Sequence, residues 1–141
     1  MTKYILNTDH VTALQRGNPI FLKRFRFVDD SQIFVTVITL EEQIRGRFSV
    51  ISKFTNNPEK LPRAYADLHA TFDFFTRMNL LDFDNFALSY YQKFRQQKIR
   101  IGTQDLKISA ITLANQMTLL TRNHRDFSKV PNLIFEDWTI N

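Results

Sequence analysis

Polar side chains that could bind a cation or a phosphate group are concentrated in the last third of the chain. An apolar-periodic helix is predicted to open with a cap at Thr103, which places Asp105 in its first turn. Thr118 to Thr121 predicts a short buried strand, and Asn123 and Asp126 follow it in a polar loop. Because open α/β sheets bind ligands at the carboxyl ends of their strands, these three polar side chains are candidates for one site.

A second boundary between a strand and a helix contributes another acid. Ile33 to Ile38 is β-branched or aromatic throughout and predicts a strand, and a helix is predicted to open at Thr39 and run to about residue 46. Glu42 is a candidate acid at this sheet edge. Thr39 and Glu42 also have the spacing of a capping box, so the Glu42 carboxylate could instead accept hydrogen bonds from backbone N–H groups.

The remaining patterns predict the elements that position these side chains. Lys3 to Leu6 reads as a short buried strand, followed by an apolar-spaced turn or two that stops at Arg16 and Gly17. The other predicted helices span about 18–27, 58–78 and 84–97, and the other predicted strands span 80–83 and 133–135. This order of elements favours an α/β fold with a parallel sheet.

Composition limits the possible classes of protein. At 141 residues the chain is expected to form one domain, residues 1–141. The absence of cysteine excludes disulfides and thiolate metal sites and fits a reducing compartment, and no apolar run is long enough for a membrane span. We therefore expect a cytoplasmic protein. The fourteen Phe residues suggest a core or an interface packed with rings.

The chain is basic, and its basic side chains lie near the candidate acids. The net charge is +5, and if the acids gather in one pocket the remaining surface is more basic than this total. A cluster next to Asp105 consists of Lys93, Arg95, Lys98 and Arg100. Interleaved with Tyr91 and Phe94, it suits phosphate contacts and base stacking on a single strand of nucleic acid. The alternative is a solvated helix end whose positive charges are favoured by the helix dipole.

The order of these motifs resembles the PIN-domain ribonucleases, in particular the VapC-type toxins of bacterial toxin–antitoxin pairs. The matching segments are Ile38-Thr39, Glu42, Gly46, Asp105, Thr121-Arg122-Asn123, Asp126-Phe127 and Glu136-Asp137-Trp138. The resemblance covers essentially the whole chain. It implies a three-layer α/β/α PIN-like fold with a central, mostly parallel sheet of four or five strands.

The resemblance also implies roles for individual residues. The metal ligands for Mg²⁺ or Mn²⁺ would be Asn7, Glu42 and Asp105. The rest of the catalytic site would consist of Thr121, Asn123 and Asp126, with Thr121 orienting a ligand or water. RNA contacts are expected from Arg95, Lys98, Arg100 and Arg122. Because Asp105 lies near a helix N-terminus, its pKa is expected to be lowered.

The first metal-binding position departs from the family pattern. The family has Leu-Asp-Thr-Asp or Leu-Asp-Thr-Asn at the first strand end, whereas this chain reads Leu-Asn-Thr-Asp, with Asn7 in the place of the acid. An amide oxygen supplies no negative charge, and hard cations prefer carboxylates. Asp9 is a weaker substitute because it is expected to lie deeper in the helix. We therefore expect a strongly impaired enzyme.

Two functions follow as expectations. The first is a metal-dependent endoribonuclease toxin, and the alternative, favoured by Asn7, is a non-catalytic PIN-like module that binds RNA or an antitoxin. The resemblance implies two binding partners. One is a VapB-type antitoxin that places an arginine in the acidic pocket, and the other is a second copy of this chain. Phe54, Phe74 and other unassigned rings could build the homodimer face.

Overall fold

The central sheet has five strands, all parallel, in a computed structural model that describes all 141 residues. The strands are β1 (Tyr4–Leu6), β2 (Ile33–Thr36), β3 (Asn79–Leu81), β4 (Thr118–Leu120) and β5 (Phe135–Glu136), in the order β3-β2-β1-β4-β5. The first strand therefore lies at the centre. The chain builds one half of the sheet outward from β1 and then returns to build the other half from β4. The carboxyl ends of β1 and β4 form the switch point at which such sheets bind ligands.

Seven helices surround the sheet. They are α1 (Thr8–Arg16), α2 (Pro19–Phe25), α3 (Val37–Lys53), α4 (Leu61–Thr76), α5 (Asn85–Gln96), α6 (Thr103–Ala114) and α7 (His124–Phe127). Two further single-turn helices span Asp30–Gln32 and Pro58–Lys60. None of these helices combines the length and the apolar character that crossing a bilayer requires.

Neighbouring residues of the central strands bury their side chains on opposite faces of the sheet. Ile5 and Leu119 belong to a core that includes residues of α5 and α6, whereas Leu6 and Leu120 belong to a second core formed with α1, α2 and α4. All four side chains are fully buried because each face of a parallel sheet is covered by helices. The predicted three-layer α/β/α fold is confirmed.

Several predicted helix boundaries are confirmed by their capping groups. Gly17 ends α1 with φ +67°, a left-handed conformation that favours glycine. The Asn18 side chain accepts a hydrogen bond of 3.0 Å from the Phe21 N–H, and Pro19 opens α2. Asp84 caps α5 by accepting a hydrogen bond of 2.9 Å from the Ala87 N–H.

The predicted start and end of α3 are wrong. The helix begins at Val37 because Thr36 is its cap and accepts a hydrogen bond of 3.2 Å from the Thr39 N–H. Thr39 and Glu42 therefore form no capping box, and the Glu42 carboxylate is not used to close a helix end. The helix continues past Gly46 to Lys53 because a single glycine only weakens a helix when no capping motif follows it.

Other boundaries shift by one to three residues, and α4, predicted at 58–78, spans Leu61–Thr76 because a separate single-turn helix precedes it at Pro58–Lys60. Gly102, not Thr103, precedes α6, and Thr103 is the first helical residue, whose side chain makes no capping hydrogen bond. The third and fifth strands, predicted at 80–83 and 133–135, lie at Asn79–Leu81 and Phe135–Glu136, because their ends are set by pairing with β2 and β4. None of these shifts moves a candidate acid away from the sheet edge.

Candidate functional site

Asn7 lies at the carboxyl end of β1, directly before α1. Its backbone N–H donates to the Leu120 carbonyl at 2.9 Å, and its side chain is buried. The side-chain Nδ2 donates to Thr121 Oγ1 at 3.0 Å, but the buried Oδ1 has no hydrogen-bond partner. A buried carbonyl oxygen without a partner costs about 1–3 kcal/mol, so an oxygen held in this state is suited to receive a ligand.

The Thr121 hydroxyl connects the ends of β1 and β4. It accepts hydrogen bonds from Asn7 Nδ2 and from the Asn123 N–H at 3.1 Å, and it lies 3.3 Å from Asp9 Oδ2. Asp9 Oδ2 also accepts a hydrogen bond of 3.0 Å from the Arg122 N–H. Asp9 was expected to be a weaker substitute because it lies deeper in its helix, but in the structure its carboxylate reaches the end of β4. Thr121 thus fixes the orientation of both Asn7 and Asp9.

The buried side chain of His10 contacts the Asp9 carboxylate. The His10 ring is fully buried, with Nδ1 2.7 Å from Asp9 Oδ1. Its Nε2 accepts a hydrogen bond of 3.0 Å from the Trp138 N–H, so Nδ1 carries the ring proton and donates to Asp9. No sequence pattern indicates this contact, because Trp138 lies 128 positions from His10.

Glu42 faces the same cleft from α3. Its Oε1 lies 3.3 Å from the Thr8 hydroxyl, which joins α1 to α3. Burial raises the pKa of Glu42, the Thr8 hydrogen bond opposes that rise, and the negative charges of Asp105 and Glu41 add to it. The neighbouring Glu41 is exposed and pairs with Arg45 at 2.8 Å.

Asp105 faces the cleft from the first turn of α6. Burial raises the pKa of Asp105, and the negative charges of Asp126 and Asp9 raise it further. The prediction of a lowered pKa is wrong, because the loss of hydration and the repulsion from two other carboxylates outweigh the effect of the helix N-terminus. Asp105 therefore belongs to a cluster of mutually repelling acids.

Asn123 and Asp126 complete the cleft at the start of α7. Asn123 Oδ1 caps this helix by accepting from the Asp126 N–H at 3.3 Å, and its Nδ2 donates to Asp126 Oδ2 at 3.0 Å. The amide of Asn123 is therefore occupied by Asp126. Asp126 Oδ1 also lies 3.7 Å from Lys129 Nζ, which compensates part of its charge.

The donor set of the cleft matches a hard divalent cation by type. Asn7 Oδ1, Glu42 and Asp105 supply oxygen atoms only, the ligands that Mg²⁺ and Mn²⁺ prefer. No three His, Cys, Asp or Glu side chains converge closely enough to hold a metal ion by themselves.

The predicted RNA-contacting side chains lie outside the acidic cleft. Arg95, Lys98 and Arg100 line a separate cavity of about 370 Å³ at the end of α5, beside Thr103 at the start of α6. The Arg95 guanidinium lies 5.7 Å from the Tyr91 ring centroid, as the interleaved pattern suggested. Arg122 is exposed and touches the site only through its backbone N–H. Their contact with RNA stays a prediction.

Two sequence relatives carry VapC names, although no family model matches the chain. The chain is 25% identical over 142 residues to the tRNA(fMet)-specific endonuclease VapC of Salmonella typhimurium, which covers 98% of this chain and 99% of the relative. It is 36% identical over 69 residues to ribonuclease VapC2 of Rickettsia felis, a match that spans 46% of this chain and 52% of that relative.

Solved VapBC structures share the fold of this chain. The chain matches VapBC-1 from nontypeable Haemophilus influenzae with a TM-score of 0.77 and 23% identity, over 99% of this chain and all of the other. It matches VapBC2 from Rickettsia felis, solved on a promoter DNA fragment, with a TM-score of 0.72 and 26% identity over 97% and 99% of the two chains. The chain is thus similar in sequence to VapC ribonucleases over nearly its whole length, and it shares the PIN-like fold of the VapBC toxins.

Proposed function

We propose that this chain has the function of a VapC-type toxin, a metal-dependent endoribonuclease that hydrolyses RNA phosphodiester bonds. The observation that carries the proposal is that Glu42 and Asp105 repel each other at the carboxyl end of the sheet, where Glu42 contacts Thr8, the residue after Asn7 with its unpartnered Oδ1. The relatives of known name support the reaction class, since they are a ribonuclease and an endonuclease.

Three residues of the cleft would bind the metal ion, and a fourth positions one of these ligands. Asn7, Glu42 and Asp105 would hold Mg²⁺ or Mn²⁺, and such an ion neutralises phosphoryl charge and lowers the pKa of a bound water. Thr121 holds Asn7 by its amide, which leaves Oδ1 pointing away from that hydrogen bond. The raised pKa values of Glu42 and Asp105 fit this role, because positive charge in the cleft would relieve the repulsion that causes them.

Asn7 weakens this site in the chain as it stands. A carboxylate at position 7 would add one negative charge to the ligand set, and hard cations bind more tightly as ligand charge increases. We therefore propose that Asn7 leaves the nuclease strongly impaired and that Asn7→Asp increases its metal-dependent activity.

The direct test compares RNA cleavage by the chain and by Asn7→Asp, with Mg²⁺ or Mn²⁺ and with EDTA. We expect Asn7→Asp to cleave RNA at least about 10²-fold faster than the unmodified chain, given the charge stabilisation that a bound metal supplies. Adding Asp105→Ala to Asn7→Asp should remove the cleavage. Cleavage that persists in EDTA or after Asp105→Ala would contradict the proposal, and so would full activity with Asn7 in place.

The expected partners are a VapB-type antitoxin, an RNA substrate and a second copy of this chain. The first is supported by the solved relatives, which are toxin–antitoxin complexes. An arginine from such an antitoxin would suit the cleft, since a guanidinium binds carboxylates through two parallel hydrogen bonds. Light scattering of the purified chain tests the homodimer.

The second candidate function is a non-catalytic module that binds RNA or an antitoxin. Asn7 favours it, together with the absence of three converging acidic or metal-binding side chains. Calorimetry with Mn²⁺ separates the two functions. Micromolar affinity in Asn7→Asp favours the enzyme, whereas millimolar or absent affinity in both chains favours the module.

A further inference from the structure

The largest cavity of the molecule lies outside the acidic cleft. It has a volume of about 770 Å³ and is formed by α1, α3 and α4. Its walls carry three arginines, Arg16, Arg47 and Arg63, and neutral polar side chains from Thr12, Gln15, Gln43 and Thr71. No carboxylate lines it. We call this cavity the arginine cleft.

Two of these arginines have no acidic partner. Arg63 pairs with Asp67 at 3.0 Å, but none of the ion pairs of the chain involves Arg16 or Arg47. Arg47 is also held in place, because its Nε donates to the hydroxyl of the buried Thr71 at 2.9 Å. Both terminal nitrogens of its guanidinium stay available, in a fixed orientation that suits an oxyanion.

The arginine cleft adjoins the acidic cleft along the same pair of helices. Thr8 contacts Glu42 at 3.3 Å on the acidic side, and Gln15 contacts Gln43 at 3.1 Å in the wall of the arginine cleft. Glu42 and Gln43 are consecutive residues of α3, and Arg47 follows Gln43 by four residues, about 6 Å along the helix axis and on the same face. The arginine cleft therefore begins next to Glu42, at a separation that one nucleic-acid strand can span.

We infer that the arginine cleft binds a backbone phosphate of RNA that flanks the bond to be cleaved, with Arg16 and Arg47 as its ligands. This inference rests on the proposed function for the identity of the nucleic acid. It assigns RNA binding to α1 and α3, in addition to the side chains predicted on α5. Unpaired guanidinium groups next to the carboxylates would hold the strand by this flanking phosphate and so orient the bond to be cleaved at the acidic cleft.

The inference can be tested on binding alone, without cleavage. We would measure fluorescence anisotropy of a labelled single-stranded RNA of about 12 nucleotides, a length suited to one small domain, in EDTA at several salt concentrations. The double variant Arg16→Gln/Arg47→Gln should lose at least tenfold in affinity. The slope of log affinity against log salt should fall by about 0.7, because the proposal removes one single-strand phosphate contact and each contributes about 0.7.

The matched control is Lys53→Gln/Arg77→Gln, which removes the same charge from exposed positions outside the cleft. Equal affinities for the two double variants would overturn the inference. So would retention of RNA binding together with a loss of binding to a polyglutamate peptide in Arg16→Gln/Arg47→Gln, since the cleft would then take an acidic protein segment.

Gly46 allows a second test that changes no charge. A Cβ built at Gly46 meets no atom within 4 Å, so larger side chains fit on the helix and project into open space at the arginine cleft. Gly46→Tyr should block RNA binding while Gly46→Ala keeps it, with both variants folded by circular dichroism. Normal RNA binding by Gly46→Tyr would overturn the inference.

Failure of the inference is distinguishable from failure of the proposed function. If Asn7→Asp cleaves RNA and the added Arg16→Gln/Arg47→Gln leaves KM unchanged, the phosphate site is wrong and the nuclease stands. If Asn7→Asp does not cleave but the two arginines control RNA affinity, the phosphate site stands and the nuclease is wrong.

Discussion

At the scale of single residues, the cleft combines one neutral oxygen with several repelling carboxylates. Asp105 faces Asp126 and Asp9, which come from two other elements, and the position of Asp105 in the first turn of α6 was predictable from the sequence. Its raised pKa was not, because burial, the larger cause, and the charges of Asp126 and Asp9, which are 21 and 96 positions away, arise only in the folded chain. The residue types indicated the chemistry, whereas the electrostatics depended on the fold.

The same repulsion predicts a gain in stability when Asp105 is neutralised. Because its pKa is raised in the folded chain, the native state binds the proton more tightly than the unfolded state, and stability falls as pH rises from the ordinary value of 3.8 through the raised pKa. Asp105→Asn removes this penalty. At pH 7 we expect Tm to rise by roughly 2–4 °C, which corresponds to about 1 kcal/mol for a chain of this size.

The gain from Asp105→Asn should disappear below pH 3.8, where the carboxyl is protonated in both states. Calorimetric melting at several pH values checks this. Asp82→Asn is the control, since Asp82 is exposed, and its Tm should stay unchanged. A lower Tm for Asp105→Asn at pH 7 would mean that the helix N-terminus, and not the acid cluster, dominates at this position.

At the scale of elements, the sequence predicted which segments form helices and strands, but the predicted boundary between β2 and α3 was wrong. The β-branched residues Val37 and Ile38 favour a strand by intrinsic preference, yet they lie in the first turn of α3 because Thr36 caps the helix there. Ile38 is nevertheless buried in the core that it would have reached as a strand residue. Intrinsic preference could not locate this boundary, because the cap and the burial of Ile38 decide it.

Two threonines distinguish the predicted caps from the observed ones. Thr36→Ala removes the hydroxyl that accepts the Thr39 N–H, and should lower the free energy of unfolding by about 1 kcal/mol. Thr103, predicted as a cap, makes no capping hydrogen bond, so Thr103→Ala should change stability by less than about 0.5 kcal/mol. Urea unfolding of both variants measures the difference. A larger loss for Thr103→Ala would restore the cap predicted from the sequence.

At the scale of the whole molecule, the strand order brings distant segments to one edge. Placing β1 at the centre sets the ends of β1 and β4 side by side, so Asn7 and Thr121 can share a hydrogen bond although 114 positions separate them. The parallel α/β class follows from the sequence pattern, but the order of the strands does not, since any order that buries the same apolar faces satisfies it. The contacts behind the site, above all His10 with Trp138, depend on that order.

The hydrogen bond between His10 and Trp138 predicts that a substitution of the buried His10 alters the environment of Trp138, near the end of the chain. His10→Phe keeps an aromatic ring but leaves the Trp138 N–H and Asp9 Oδ1 without their partner. We expect a loss of about 2 kcal/mol in the free energy of unfolding, as for other buried groups left unpaired. Trp138, the only tryptophan, is 3% exposed, so its fluorescence should also shift to the red at native conditions as water reaches the ring.

His69→Phe, at an exposed position of α4, is the control and should leave the spectrum unchanged. An unchanged spectrum and stability in His10→Phe would show that Trp138 is held without His10, by its side-chain contacts with Tyr4, Phe21, Arg24 and Glu136.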